Sequence, residues 1–444
     1  MIVELAIENY KSIRDRMVVS FAASKTTKLS GNLLQQTNRE RFVKAMALYG
    51  ANASGKTTVL DALCALYEFV LFSSQDQKPT ERIPRFEAFA LDKACAKLPS
   101  TISLTIDLDG NRYAFSVSAS SDRVWQETLH VKAVTKSPSR KSKSHTLISR
   151  VWNRRAKLYD IQLSEELGPP TTIAAAQEQT PPNRLMLGKL ASLNSELASS
   201  ILEWFDEDLG FYDMYRNPFA ERVTLGETAK LLKKGGAFAE LVTSFVCDAD
   251  IGIRRMQVFD LKTVEPQPTE SDQNPEMKIV SRPGLLFHHL TEDGIDQAFR
   301  ARSESSGTLR FVALLTAILK PGNRRRLVCV DELSASLHPD LVQRLLGIVH
   351  SSEYNPNGNQ LFFTTHDSHL INPDHLLRRD QVTICEKDRY GRSSTVRLDS
   401  FHDGARSDAN LQKQYLQGRF GGIPQFGPKL EDVPVDDKPL EIKA

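Results

Sequence analysis

The chain has 444 residues, 40% hydrophobic and 25% charged, with 57 basic against 55 acidic side chains. That balance fits a globular protein of one large or two modest domains, and its net charge of +2 argues neither for nor against a nucleic-acid partner. No run approaches the roughly 18 apolar residues of a membrane-spanning helix, and five cysteines without CxxC spacing predict free thiols and a reducing, cytoplasmic setting.

Met1 to Ile13 alternates apolar and polar residues around Glu4, Glu8 and Lys11, so it reads as a strand near Ile2–Ile7 rather than a signal peptide. An apolar run, Phe42–Tyr49, then leads into Gly50-Ala51-Asn52-Ala53-Ser54-Gly55-Lys56-Thr57, and a helix follows over 58–72. Strand, glycine loop and helix are the context that the pattern G-x-x-x-x-G-K-[ST] requires. The glycines let backbone N–H groups approach phosphate oxygens, Lys56 supplies a compact cation, and the Thr57 hydroxyl ligates Mg²⁺. Gly50, Asn52, Ser54, Gly55, Lys56, Thr57 and Thr58 are therefore the expected nucleotide-binding residues, with ATP and Mg²⁺ as cofactors.

From Phe86 to Val131 the period changes to two, with a turn at Asp109-Gly110-Asn111, which predicts a hairpin in an antiparallel meander. Lys132, Lys136, Arg140, Lys141 and Lys143 follow among serines, and then Arg150, Arg154, Arg155 and Lys157. They read as a solvated loop or as contacts to a phosphate backbone. Leu187, Leu190, Leu197, Ile201 and Phe205 recur at helical spacing, and a second helical stretch, 228–247, is broken at Gly235-Gly236. Three prolines and clustered acids make 263–277 a loose loop before short strands near 278–290. From Gln425 the sequence mixes proline and charge without period, as a poorly ordered tail does.

Leu327-Val-Cys-Val is a continuous apolar run ending in Asp331-Glu332, as in a buried parallel strand that delivers carboxylates at its C-terminal edge. Asp331 is the expected metal ligand beside Thr57, and Glu332 the expected general base. A second such run, Gln360–Thr365, ends in His366, which would reach the γ-phosphate from the same edge. Upstream, Glu304-Ser305-Ser306-Gly307-Thr308 opens a helix ending before Pro321; those small residues read as an N-cap or as a phosphate contact.

Taken with Ser336-Leu337-His338-Pro339 and the opening Glu8-Asn9-Tyr10-Lys11-Ser12-Ile13, these motifs resemble the ABC/SMC branch of P-loop ATPases. Within it the chain is similar to compact AAA-type ATPases of bacterial abortive-infection and anti-phage systems, the AbiL and PARIS ATPases among them. The terminal Tyr415-Leu-Gln-Gly-Arg-Phe-Gly-Gly-Ile-Pro424 also carries that resemblance. It implies an α/β head with an antiparallel β subdomain and a helical insert, without a long coiled coil. Implied boundaries are 1–131, 132–283, 284–424 and a tail, 425–444. It also implies that Ser305, Ser306 and Gly307 act in trans on nucleotide held by a second copy, and that Ser336 and His338 belong to a D-loop. The expected partners are a second copy or a higher homo-oligomer and a nuclease effector from a neighbouring gene, toprim-like nucleases being one candidate class. The rival expectation is a DNA-repair or recombination ATPase that clamps DNA itself. With no metal-ligand cluster beyond the ATPase acids, a built-in nuclease is not expected.

Overall fold

The computed structural model describes residues 1–35, 40–73, 80–134, 143–212, 218–249, 252–266, 277–371, 376–401 and 410–424. Lys136, Arg140, Lys141 and the predicted tail lie outside them. In chain order the opening strands are β1 (Ile2–Glu8), β2 (Met17–Ser20), β3 (Leu33–Gln35), β4 (Arg41–Val43) and β5 (Ala45–Tyr49), followed by α1 (Lys56–Phe72). The apolar run 42–49 is thus two strands in different sheets, broken at Lys44. This lysine is buried, and its ammonium donates to the carbonyl of His350 at 2.8 Å.

Next come β6 (Ser100–Leu108), β7 (Asn111–Ala119), β8 (Val124–Ala133), β9 (His145–Asn153) and β10 (Leu158–Leu163). With β1 and β2 they form one antiparallel sheet in the order β10-β9-β8-β7-β6-β1-β2. The meander therefore continues past residue 131, across the boundary expected there, and takes in the first strand of the chain. Burial along β6 alternates at every residue, which is why its strand pattern was legible. The β6–β7 hairpin turns on Asp109 and Gly110, both at positive φ, 49° and 80°, the geometry of a type I′ turn.

Arg150, expected in a solvated basic stretch, is fully buried in β9. Its guanidinium lies 3.8 Å from Glu127 and donates to the carbonyls of Arg184 and Pro181 at 2.6 and 2.8 Å. Burial lowers its pKa, the Glu127 carboxylate partly opposing the shift. Paired charges at such depth are structural. The helices α2 (Pro170–Gln179), α3 (Met186–Ser192) and α4 (Glu196–Glu203) follow, then β11 (Leu209–Tyr212), α5 (Pro218–Lys233) and α6 (Gly236–Cys247). Two 14-residue strands, β12 (Ile253–Pro266) and β13 (Met277–Leu290), stand where short strands were expected and take in the edges of the loose loop expected over 263–277, whose residues 267–276 lie outside the described ones; β14 (Asp296–Arg300) joins their sheet.

The last elements are α7 (Ser306–Leu319), β15 (Leu327–Val330), α8 (Pro339–His350), β16 (Gln360–Thr364), β17 (Val382–Lys387), β18 (Ser393–Arg397) and α9 (Leu411–Leu416). A second large sheet runs β11-β15-β16-β5-β17-β18, with β11, β15, β16, β5 and β17 parallel. Both its faces are covered, as parallel sheets require. Met46, Leu48 and Phe362 face a core shared with α1 and the antiparallel sheet, whereas Ala47, Tyr49 and Phe363 face α7 and α8. Each fully buried phenylalanine contributes about 1.5–3 kcal/mol. Among the described residues no helix is long and apolar enough to cross a membrane.

Candidate functional site

Three strand ends meet at the carboxyl edge of the parallel sheet. β16 lies between β5, which runs into the phosphate loop, and β15, which ends at Asp331. Thr364, the last residue of β16 and fully buried, donates its hydroxyl to Asp331 Oδ1 at 2.7 Å. The Thr364 hydroxyl oxygen in turn accepts the Glu332 backbone N–H at 2.7 Å. Thr57, in the first turn of α1, donates to Asp331 Oδ1 at 3.1 Å.

Sequence reasoning placed Thr57, Asp331 and Glu332 at one edge and missed Thr364, which links both acids. Glu332 is held at φ 51°, a left-handed conformation costly for a non-glycine residue. Besides Thr364, Arg310 holds this turn: its buried guanidinium donates to the Asp331 and Glu332 carbonyls at 3.0 and 2.6 Å. An arginine in an apolar helix was the available signal, because such a charge stays buried only with partners.

Lys56 is buried, its ammonium donating to the carbonyls of Gly50 and Ala51 at 2.8 and 2.9 Å. Burial lowers its pKa, while Cys385, Glu332 and Asp331 pull it back up. A cation stowed on loop carbonyls, short of water, is poised to exchange them for phosphate oxygens. Gly50 and Gly55 have positive φ, 150° and 108°, and a Cβ on either would come 2.3 Å from Cys385 O or Ser393 Oγ. Asn52 is exposed on this loop, Ser54 is buried, and Thr58 is the third residue of α1. The hydroxyl of Thr57 and the carboxylate of Asp331 form an oxygen-donor pair, which suits Mg²⁺. These two residues would hold the ion, which supplies charge neutralisation to a bound triphosphate.

Two segments far apart in sequence, 9–12 and 415–422, converge on the phosphate loop and its helix. In the opening motif Asn9 and Lys11 have positive φ, forming a tight turn. Tyr10 and Lys11 both donate to Asp61 of α1, at 2.6 and 2.5 Å, and Ser12 Oγ lies 3.4 Å from Thr58 Oγ1. Burial raises the Asp61 carboxyl, but hydrogen bonds from Lys11, Tyr10 and Arg85 more than reverse this and hold it well below the carboxylate range. In the other segment, Tyr415 stacks edge-on against Tyr49 at 6.0 Å and donates to Gly422 O at 3.1 Å. Gly422 N donates to Glu386 at 2.7 Å, and a Cβ on Gly422 would approach Gly50 Cα to 3.4 Å.

Ser305 caps α7, accepting from the Thr308 N–H at 3.0 Å, and His338 caps α8. Gly307 abuts Ser336, and Ser305, Ser306, Ser336 and His338 are all exposed. His366 is exposed at the end of β16.

A phosphate loop, an acidic strand end and a threonine-bearing strand between them define a P-loop nucleotide-binding domain of mixed α/β structure. More particularly, the chain belongs to the AAA-domain family described as "AAA domain, putative AbiEii toxin, Type IV TA system", whose match spans residues 45–372. This is an AAA-type ATPase domain in a toxin–antitoxin context. No curated protein matches the sequence.

Proposed function

We propose that this chain is an ATP-hydrolysing switch of the ABC/SMC branch whose nucleotide sites are shared between two copies, and that its closed and open states control a partner nuclease in bacterial anti-phage defence. The observation that carries the reading is Thr364 joining Asp331 and Glu332 beside Thr57. The Asp331 carboxylate is thereby set on the Thr57 hydroxyl, and Glu332 follows it in a turn held at positive φ. Lys56 takes the phosphates, Glu332 accepts a proton from the attacking water, and His366 contacts the γ-phosphate.

The two-copy part rests on the exposed surface made by Ser305, Ser306, Ser336 and His338, where the signature and D-loop stand together. An opposing copy would bring this surface to a phosphate loop. Light scattering of Glu332→Gln with saturating Mg-ATP tests it. The expected result is a doubling of mass that Lys56→Ala abolishes, and a mass unchanged by nucleotide refutes the shared site.

Direct clamping of DNA has less support. Arg150 is interior, and Lys132 and Lys143 lie at the opposite end of β9 from Arg154, Arg155 and Lys157. At about 3.4 Å per residue, a nine-residue strand keeps the two groups roughly 30 Å apart.

A further inference from the structure

One end of the antiparallel sheet carries a row of half-exposed rings. Gln126 pairs with Val151, which sets Trp125 opposite Trp152, and Trp152 pairs with Tyr159. The row crosses three neighbouring strands and contains two of the chain's three tryptophans. One step further along the same face, Glu127 and Arg150 are fully covered by the segment around Arg184. The rings stand where that cover ends.

Guanidinium groups interleave with the row. Arg123, from the turn before β8, lies 4.4 Å from the Trp152 ring centre and 5.6 Å from that of Trp125. Arg154, from the turn after β9, lies 4.4 Å from Trp125. Close cation–π contacts occur about once per 70–80 residues, so three among four side chains are a concentration that a solvated face does not need. Arg155 and Lys157 are exposed in the same turn as Arg154, and Asp122 answers Arg123 at 3.2 Å. The rings are fixed from behind: Trp125 Nε1 donates to Ser120 Oγ and the Tyr159 hydroxyl to Val124 O, both at 2.7 Å.

We propose that this row is a binding surface for single-stranded nucleic acid. The guanidinium and ammonium groups of Arg123, Arg154, Arg155 and Lys157 take backbone phosphates. Arg154 moves off Trp125, and Arg123 off Trp152 on the adjacent strand, so that each ring face now covered by a guanidinium is freed for a base. Rings on neighbouring strands of an antiparallel sheet suit unstacked bases. A duplex does not present base faces, and an acidic peptide would have no use for the row. This surface is independent of the ATPase reading and lies outside the phosphate-loop machinery.

Anisotropy of labelled single-stranded RNA and DNA oligonucleotides, titrated with the full chain at low salt, tests the proposal. Trp152→Ala should weaken binding by about 5- to 150-fold, the range for losing one stacked base, and Trp152→Phe should restore most of it. Arg154→Ala should reduce the slope of log K against log salt by about 0.7, one phosphate contact to a single strand. If thermal melting shows Trp152→Ala to be misfolded, the arginine variant, which leaves the rings in place, decides alone. Absence of binding by the wild type, an unchanged affinity for Trp152→Ala in a folded protein, an unchanged salt slope, or tighter binding of a duplex each overturns the assignment.

Discussion

Gly307 and Ser336 meet with no room for a side chain between them: a Cβ on Gly307 would stand 2.3 Å from the Ser336 carbonyl oxygen. Ser336 is itself held at φ 57°, so the carbonyl cannot turn away without altering the loop that precedes α8. Gly307→Ala must push the two loops apart, at a cost of about 1–3 kcal/mol typical of overpacking. The expected outcome is unchanged ATP affinity with turnover reduced about tenfold, measured by equilibrium binding and steady-state phosphate release. Full turnover would show that the junction plays no part in hydrolysis.

Glu332→Gln keeps the backbone N–H that Thr364 accepts and removes the carboxylate. ATP binding should persist, and hydrolysis should fall by about 10²–10⁴, the contribution of a positioned general base. Near-normal phosphate release by this variant would place the base elsewhere, with His366 the next group at that edge.

The phosphate loop and the meander were legible in the sequence because their causes are local. Glycine spacing fixes the first and alternation the second. What stayed hidden depends on partners far along the chain. β11 is four residues, Leu209–Tyr212, that become a strand only by pairing with Leu327–Val330. Lys44 breaks its apolar run because of a carbonyl at His350. The role of Thr364 needs Asp331, and the terminal Gly421-Gly422 has meaning only against Glu386 and Gly50.

That terminal contact makes a prediction of its own. Glu386→Ala removes the acceptor of the Gly422 N–H, a hydrogen bond to a charged group, worth about 1.5–3 kcal/mol. With the glycine pair released, Gly50 loses a neighbour and the phosphate loop loses definition. ATP affinity should drop several-fold and the melting temperature fall by about 2–3 °C, read by calorimetric titration and thermal melting. Unaltered affinity would reduce the motif to packing.

His350 gives a pH dependence with a definite sign. Gln381 Oε1 accepts from Asn32 and Arg378 N at 2.7 and 2.9 Å, which turns its amide nitrogen toward His350 Nε2 at 3.1 Å. That ring nitrogen must accept, so the imidazole is neutral. Burial, helped by Lys44, pushes its pKa down to about 3. The unfolded chain takes up this proton near pH 6.5, and the folded one does not until far lower. Stability is therefore fully present above pH 6.5 and is lost as pH falls from there toward 3, by about 2 kcal/mol between 6.5 and 5. Urea unfolding at pH 7 and 5 should show that loss, and His350→Leu should reduce it by this amount. A variant with the wild-type pH slope would mean that other groups set it.

The shared nucleotide site can be tested without any structure of the closed state. Ser305 is exposed at the N-cap of α7, so Ser305→Arg loses only the cap bond to Thr308 N–H, about 1 kcal/mol, and puts a long cation where an opposing triphosphate would sit. Lys56→Ala, in turn, removes the buried cation of the phosphate loop, and ATP affinity with it. Each variant by itself should be inactive, since every site in a homodimer then carries the defect. In a mixed dimer, one site pairs the intact loop of the Ser305→Arg chain with the intact signature of the Lys56→Ala chain, and the other site holds both defects. Mixing the two should recover part of the ATPase rate. Differently tagged chains, co-purified after mixing, establish that subunits have exchanged. Mixed assemblies without recovered activity, or a fully active Ser305→Arg protein, would show that each copy hydrolyses ATP with its own residues.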